Sequence, residues 1–71
     1  MKKTYKIEVD CAVCAAKIES GISKLEGVNY VSINFMTQKM IIDINDDVYD
    51  EVFTKAIKLA TKIEPDFSVI K

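Results

Sequence analysis

Seventy-one residues, 49% of them hydrophobic and with no low-complexity run, make one domain whose core lies near the lower size limit for folding alone. Ten Lys and Arg against eleven Asp and Glu leave a formal net charge of −1, which excludes the basic imbalance of a nucleic-acid-binding domain. No run approaches the roughly 20 apolar residues of a membrane span, and Lys2-Lys3 leads into the charged stretch Tyr5-Lys6-Ile7-Glu8, so no export signal is expected.

Tyr5, Ile7 and Val9 alternate with Lys6, Glu8 and Asp10, the period-two pattern of a half-buried strand. From Ala12 to Leu25 the spacing lengthens, and Ala15, Ile18, Ile22 and Leu25 mark the inward stripe of an amphipathic helix. Gly21 inside it offers close packing against the sheet, and Gly27 is the expected C-cap. Val28 to Phe35 reads as a second strand, Met36-Thr37-Gln38 as a hairpin connection, and Met40, Ile42 and Ile44 as the inward side of a third strand. Asn45-Asp46-Asp47 supplies N-capping side chains for a helix from about Val48 to Lys62. That helix turns Val52, Phe53, Ala56, Ile57, Leu59, Ala60 and Ile63 inward. Pro65-Asp66 ends the segment, and Phe67 to Ile70 is a short last strand. The order βαββαβ with right-handed crossovers predicts an α+β, ferredoxin-like sandwich: a four-stranded antiparallel sheet with two helices on one face.

Cys11 and Cys14 are the only cysteines, and they fall where the first strand pattern gives way to the first helical one. A pair so close in sequence is a poor disulfide staple, so a reducing, intracellular setting is expected. Three uses remain for the pair: metal binding, dithiol–disulfide exchange, or two incidental small buried residues. Cys14 falls in the first helical turn, where free N–H groups and the positive end of the helix dipole are expected to lower thiol pKa values. Two thiolates a few ångströms apart nearly complete the ligand set of Cu(I) and supply half that of tetrahedral Zn(II). The run Asp10-Cys11-Ala12-Val13-Cys14 lacks the aromatic residue and Gly-Pro of thioredoxin-like sites, and a zinc ribbon needs a second pair. With no histidine and no paired-carboxylate constellation, general acid–base catalysis is not expected, and Tyr5, Tyr30 and Tyr49 have no catalytic partner. Met36 and Met40 read as turn and core residues, and Lys55, Lys58 and Lys62 as a solvated stripe or an electrostatic docking surface.

The βαββαβ order, the Cys11/Cys14 pair in the first loop and the stretch Val31-Ser32-Ile33-Asn34-Phe35 before a hairpin resemble a heavy-metal-associated domain. The resemblance covers essentially the whole chain, residues 1–71. Where that family usually has Gly-Met ahead of the cysteine motif, this chain has Glu8-Val9, which is expected to weaken loop anchoring more than ligation. Asp10 occupies the position at which members from zinc, cadmium and lead exporters often carry Asp. The resemblance therefore implies a third ligand there; the competing reading is that Asp10 caps the helix or lies solvated. A carboxylate adds little to two-coordinate Cu(I) but helps satisfy Zn(II), Cd(II) or Pb(II). Ile63-Glu64-Pro65-Asp66 is similar to the corresponding run of cadmium/zinc exporter domains, so Glu64 is either a further oxygen ligand, within one molecule or across a metal-bridged dimer, or an ordinary exposed loop residue.

What the resemblance implies is a non-enzymatic module that binds a heavy-metal ion, Zn, Cd or Pb ahead of Cu(I), and passes or senses it. Two contexts follow: the cytoplasmic N-terminal domain of a metal-translocating P-type ATPase, or a free-standing copper-type metallochaperone. The Glu64-Pro65-Asp66 run and the end at Lys71 point to the first. Its partners would be a membrane transporter core or another heavy-metal-associated domain, and the metal-free form would be a monomer. The reading from another class is a thiol–disulfide oxidoreductase.

Overall fold

The computed structural model describes residues 1–70. In chain order it forms β1 (Lys2–Glu8), α1 (Ala12–Ser23), β2 (Val28–Asn34), β3 (Lys39–Ile44), one turn of 3₁₀ helix (Asp46–Val48), α2 (Tyr49–Ile63) and β4 (Ser68–Ile70). The strands make one antiparallel sheet in the order β2-β3-β1-β4, with the two helices packed against it, the expected ferredoxin-like arrangement. Lys6 pairs with Lys39 on one side and with Ile70 on the other. The C-terminal end of β1 is therefore flanked by the β2–β3 hairpin and by the start of β4, and the cysteine loop begins there.

The inward stripes meet as the spacing requires. Ile7 and Val9 from the β1 end, Ala15, Ile18 and Ile22 from α1, Met40, Ile42 and Ile44 from β3, and Val52, Ala56 and Ala60 from α2 are all buried. Burying each such Ile contributes about 1.5–3 kcal/mol, so these few residues carry most of a small core. Alanines at the helix contacts let the backbones approach. Tyr5 and Tyr49 join hydroxyls across β1 and α2, and Phe53 packs between them at ring distances of 5.1 and 5.7 Å. β2 is an edge strand, and its Ile33 N–H donates to Glu19 Oε2 of α1 at 2.8 Å, which closes one donor that an exposed edge would leave open.

Four local expectations change. Gly21 faces α2, not the sheet: a Cβ there would lie 2.8 Å from Leu59 Cδ2, because position 21 is rotated off the Ile18–Ile22 stripe toward the neighbouring helix. α1 stops at Ser23 with Lys24 as its C-cap, since the Lys24 and Leu25 N–H groups close tight bonds to Gly21 and Ile22 carbonyls. Gly27 lies beyond that cap, at φ +98, and a Cβ on it would approach Val52 Cγ2 to 2.9 Å. It turns the chain under α2 into β2. Finally, Asn45, Asp46 and Asp47 do not cap α2 by side chain. Asn45 Oδ1 accepts from Asn29 Nδ2 at 2.9 Å, Asp46 pairs with the Met1 ammonium at 2.8 Å, and a 3₁₀ turn precedes the helix. Asp50 and Glu51 in the first turn of α2 still meet the positive end of its dipole.

Candidate metal centre

Cys11 is the N-cap of α1. Its backbone is extended (φ −130, ψ 118), its carbonyl accepts the Ala15 N–H at 2.9 Å, and its Sγ accepts the Cys14 N–H at 3.2 Å. Sulfur takes the place that a Ser or Asp oxygen fills at most helix starts. The x-x spacing acquires a physical meaning here, because the residue three after an N-cap is the one whose amide turns back to it. Both cysteines are free and half-buried, and Val13 between them is 63% exposed. The pair therefore opens outward.

The two thiols are not equivalent. Cys11 is held below the ordinary thiol range, first by hydrogen bonding with the Cys14 thiol, then by the Cys14 and Val13 N–H groups of the helix start. Cys14 is pushed up to about 11 by the same sulfur–sulfur hydrogen bond, by desolvation, by the Cys11 charge and by Glu64. The expectation that the helix terminus lowers the thiol value at Cys14 is thus corrected: its donors converge on the cap sulfur of Cys11, and the second sulfur faces negative charge. The pair loses its protons in two separated steps.

Glu64 is the C-cap of α2, with Oε1 accepting the Asp66 N–H at 3.1 Å, and its carboxylate reaches Cys14 closely enough to help retain that thiol's proton. Asp10 is exposed and makes no hydrogen bond among the described residues. Because the Cys11 sulfur fills the cap, Asp10 does not cap the helix. Among the described residues no three His, Cys, Asp or Glu side chains form a preassembled metal-holding group. The structure brings Cys11 and Cys14 together and sets Glu64 beside Cys14, while Asp10 lies next in the chain with a free carboxylate.

Val9, in place of the family's usual Met, is 3% exposed, and its N–H donates to Gln38 Oε1 at 2.8 Å. Loop anchoring therefore has a source besides the side chain at position 9. Gln38 carries no motif; the one available signal was a long amide at the end of a short hairpin, where Gly or Asn is the usual turn residue. Met36 is 88% exposed at the turn and Met40 is fully buried, as expected. Lys55 makes an exposed pair with Glu51 at 3.6 Å, consistent with a solvated stripe.

A family model described as heavy-metal-associated domain matches residues 4–65. A zinc/cadmium/lead-transporting P-type ATPase of Escherichia coli (strain K12) is 41% identical over 44 residues, 62% of this chain and 6% of that protein. A probable copper-transporting ATPase, PacS, of Synechocystis sp. (strain ATCC 27184 / PCC 6803 / Kazusa) is 27% identical over 63 residues, 84% of this chain and 8% of that protein. The chain thus spans less than a tenth of the length of either relative. Among solved structures, the N-terminal domain of ZntA in its Zn(II) form superposes with a TM-score of 0.64 at 30% identity, covering 97% of this chain and 88% of that one. A CsoZ metallochaperone shares the fold at TM-score 0.76 and 12% identity, with 100% and 97% covered.

Proposed function

Because the chain belongs to the heavy-metal-associated domain family, we propose that residues 1–71 work as one domain that takes up a thiophilic metal ion on Cys11 and Cys14 and hands it on. The observation that carries this reading is the cap geometry, which places two free, half-buried sulfurs at an outward-facing helix start. An ion arriving at Cys11 meets the sulfur that ionises first; binding Cys14 then displaces its proton. On release the order reverses, and the return of that proton to Cys14 helps free the ion. An incoming thiolate or carboxylate adds before a resident sulfur leaves, which an open, under-coordinated site permits and a closed four-ligand site prevents.

Zn(II), Cd(II) or Pb(II) is the cargo we favour. Asp10 and Glu64 add oxygen donors that these ions use and two-coordinate Cu(I) does not. The free Asp10 carboxylate, the placement of Glu64 beside Cys14 and the similarity to a zinc/cadmium/lead-transporting relative support it. One observation favours the copper reading: two sulfurs with no preassembled third donor among the described residues are the set that Cu(I) takes. No helix among the described residues is long and apolar enough to cross a membrane. We place the domain on the cytoplasmic side, as the N-terminal module of a metal-translocating P-type ATPase, receiving from or delivering to the transporter core or another domain of its family.

Competitive titration of the reduced chain with Zn(II), Cd(II) and Cu(I), repeated on Asp10→Ala, tests the choice of ion. The expected outcome is an affinity loss of about tenfold or more for Zn(II) and Cd(II), the scale on which supporting donors act, with Cu(I) nearly unchanged. Equal losses for all ions, or none, would remove Asp10 from the ligand set.

A further inference from the structure

β1 passes into the cysteine loop through Val9, and Gln38 meets the chain there with three groups. Its carbonyl accepts the Ile7 N–H at 3.0 Å, its Oε1 accepts the Val9 N–H at 2.8 Å, and its Nε2 donates to the Phe35 carbonyl at 2.7 Å. The first of these extends the β1–β3 ladder beyond the Lys6–Lys39 pair. The other two come from the side chain, whose amide supplies the next rung after the hairpin backbone has turned away. To do so Gln38 sits at φ +54, a conformation that a residue with a side chain adopts at a cost. The two side-chain bonds offset that cost. The hairpin is also closed by Asn34 Oδ1, which accepts the Met36 and Thr37 N–H groups at 2.9 and 3.1 Å, so the turn does not rest on the Gln38 amide alone.

We infer that Gln38 is a positioning residue for the cysteine loop: by tethering the Val9 amide, two residues ahead of Cys11, it sets how long an ion stays on the sulfurs. The inference rests on the metal-binding reading above. Gln38 touches no ion and acts through the loop. Losing one neutral hydrogen bond shifts an equilibrium by about 3- to 10-fold, and that is the expected rise in the rate of ion release.

Three variants of the full chain separate this role from that of a turn residue. Gln38→Gly and Gln38→Asn both accept a positive φ and lack the reach to Val9; Gln38→Glu keeps the acceptor and gives up the donor to Phe35. Two readouts are paired: amide exchange of Val9 by NMR in the metal-free chain, and release of Cd(II) from the loaded chain to excess EDTA. The expected result is faster Val9 exchange and about 3- to 10-fold faster release in the Gly and Asn variants, with both restored in part by Gln38→Glu, whose second oxygen meets the Phe35 carbonyl. Release that stays at the wild-type rate when Val9 has lost protection overturns the positioning role, as does a Glu variant that keeps Val9 protected and still releases as fast as Gly. Unchanged Val9 exchange in the Gly and Asn variants overturns the tether alone. A wild type that takes up no Cd(II) overturns the functional reading, whatever Val9 shows.

Discussion

At the end of the sheet where β2 begins and β3 finishes, polar groups are paired with one another. The Met1 ammonium lies 3.2 Å from Asp43 and 2.8 Å from Asp46, Asn29 donates to Asn45 at 2.9 Å, and the Asn45 N–H closes on the Gly27 carbonyl at 3.0 Å. At the other end, where β1 runs into α1, the donors face outward. Asp10 is exposed, the Cys11 sulfur accepts the Cys14 N–H of the helix start, and Glu64 lies beside Cys14. Both ends belong to the same small core. One uses its polar side chains to close the chain upon itself, and the other leaves sulfur and oxygen donors available to something that arrives from outside.

Three perturbations sharpen that contrast. The largest effect is expected at the open end: Cys11→Ser or Cys14→Ser should lower Cd(II) affinity by more than the ~10–100-fold typical of losing an outer-shell partner of a metal ligand. Competition with a chelator measures it, and urea unfolding of the metal-free chain should change little. Next is the pH dependence. Because Cys14 keeps its proton up to about 11 while Cys11 ionises below the ordinary thiol range, an ion that binds both sulfurs displaces at least the Cys14 proton. Apparent affinity should therefore climb as pH rises, by about tenfold per unit for each proton displaced, and level off above the Cys14 value. Isothermal titration in buffers of different ionisation enthalpy counts those protons. An affinity flat between pH 7 and 9 would contradict the split pair.

The smallest effect on the site belongs to the closed end. Gly27→Ala forces a side chain into φ +98 and against Val52, at a cost of about 1–3 kcal/mol in unfolding free energy. Thermal or urea unfolding reads that loss. The Cd(II) affinity of the folded fraction should remain at the wild-type level, since the substitution sits away from the sulfurs.

Apolar spacing was enough to place the sheet and both helices, because Ile18 and Ile22 or Met40, Ile42 and Ile44 can be buried together in only one periodicity. The position of the cysteine pair was legible for the same reason, since the change of period at Ala12 marks a helix start; the cap was not, because Asp10 offered the usual capping side chain and the Cys11 sulfur takes that place instead. Capping chemistry elsewhere was less legible. Asn45 and Asp46 have the right side chains to cap α2, yet partners distant in sequence, Asn29 and the Met1 ammonium, engage them instead. The opposed thiol values come first from the two sulfurs acting on each other, with Glu64, brought beside Cys14 by the end of α2 from far along the chain, adding to the rise at Cys14. Gln38 was hidden more deeply, since its role comes from a strand register that no local pattern records.

The most direct measurement is the sulfur-to-cadmium charge-transfer absorbance of the reduced chain as Cd(II) is added, alongside the variant carrying Ser at both cysteine positions. The account predicts a band that saturates at one ion per chain, or one per two chains if the ion bridges a dimer, and that is absent from the double variant. No band in the wild type, or equal Cd(II) uptake by the double variant, would contradict it.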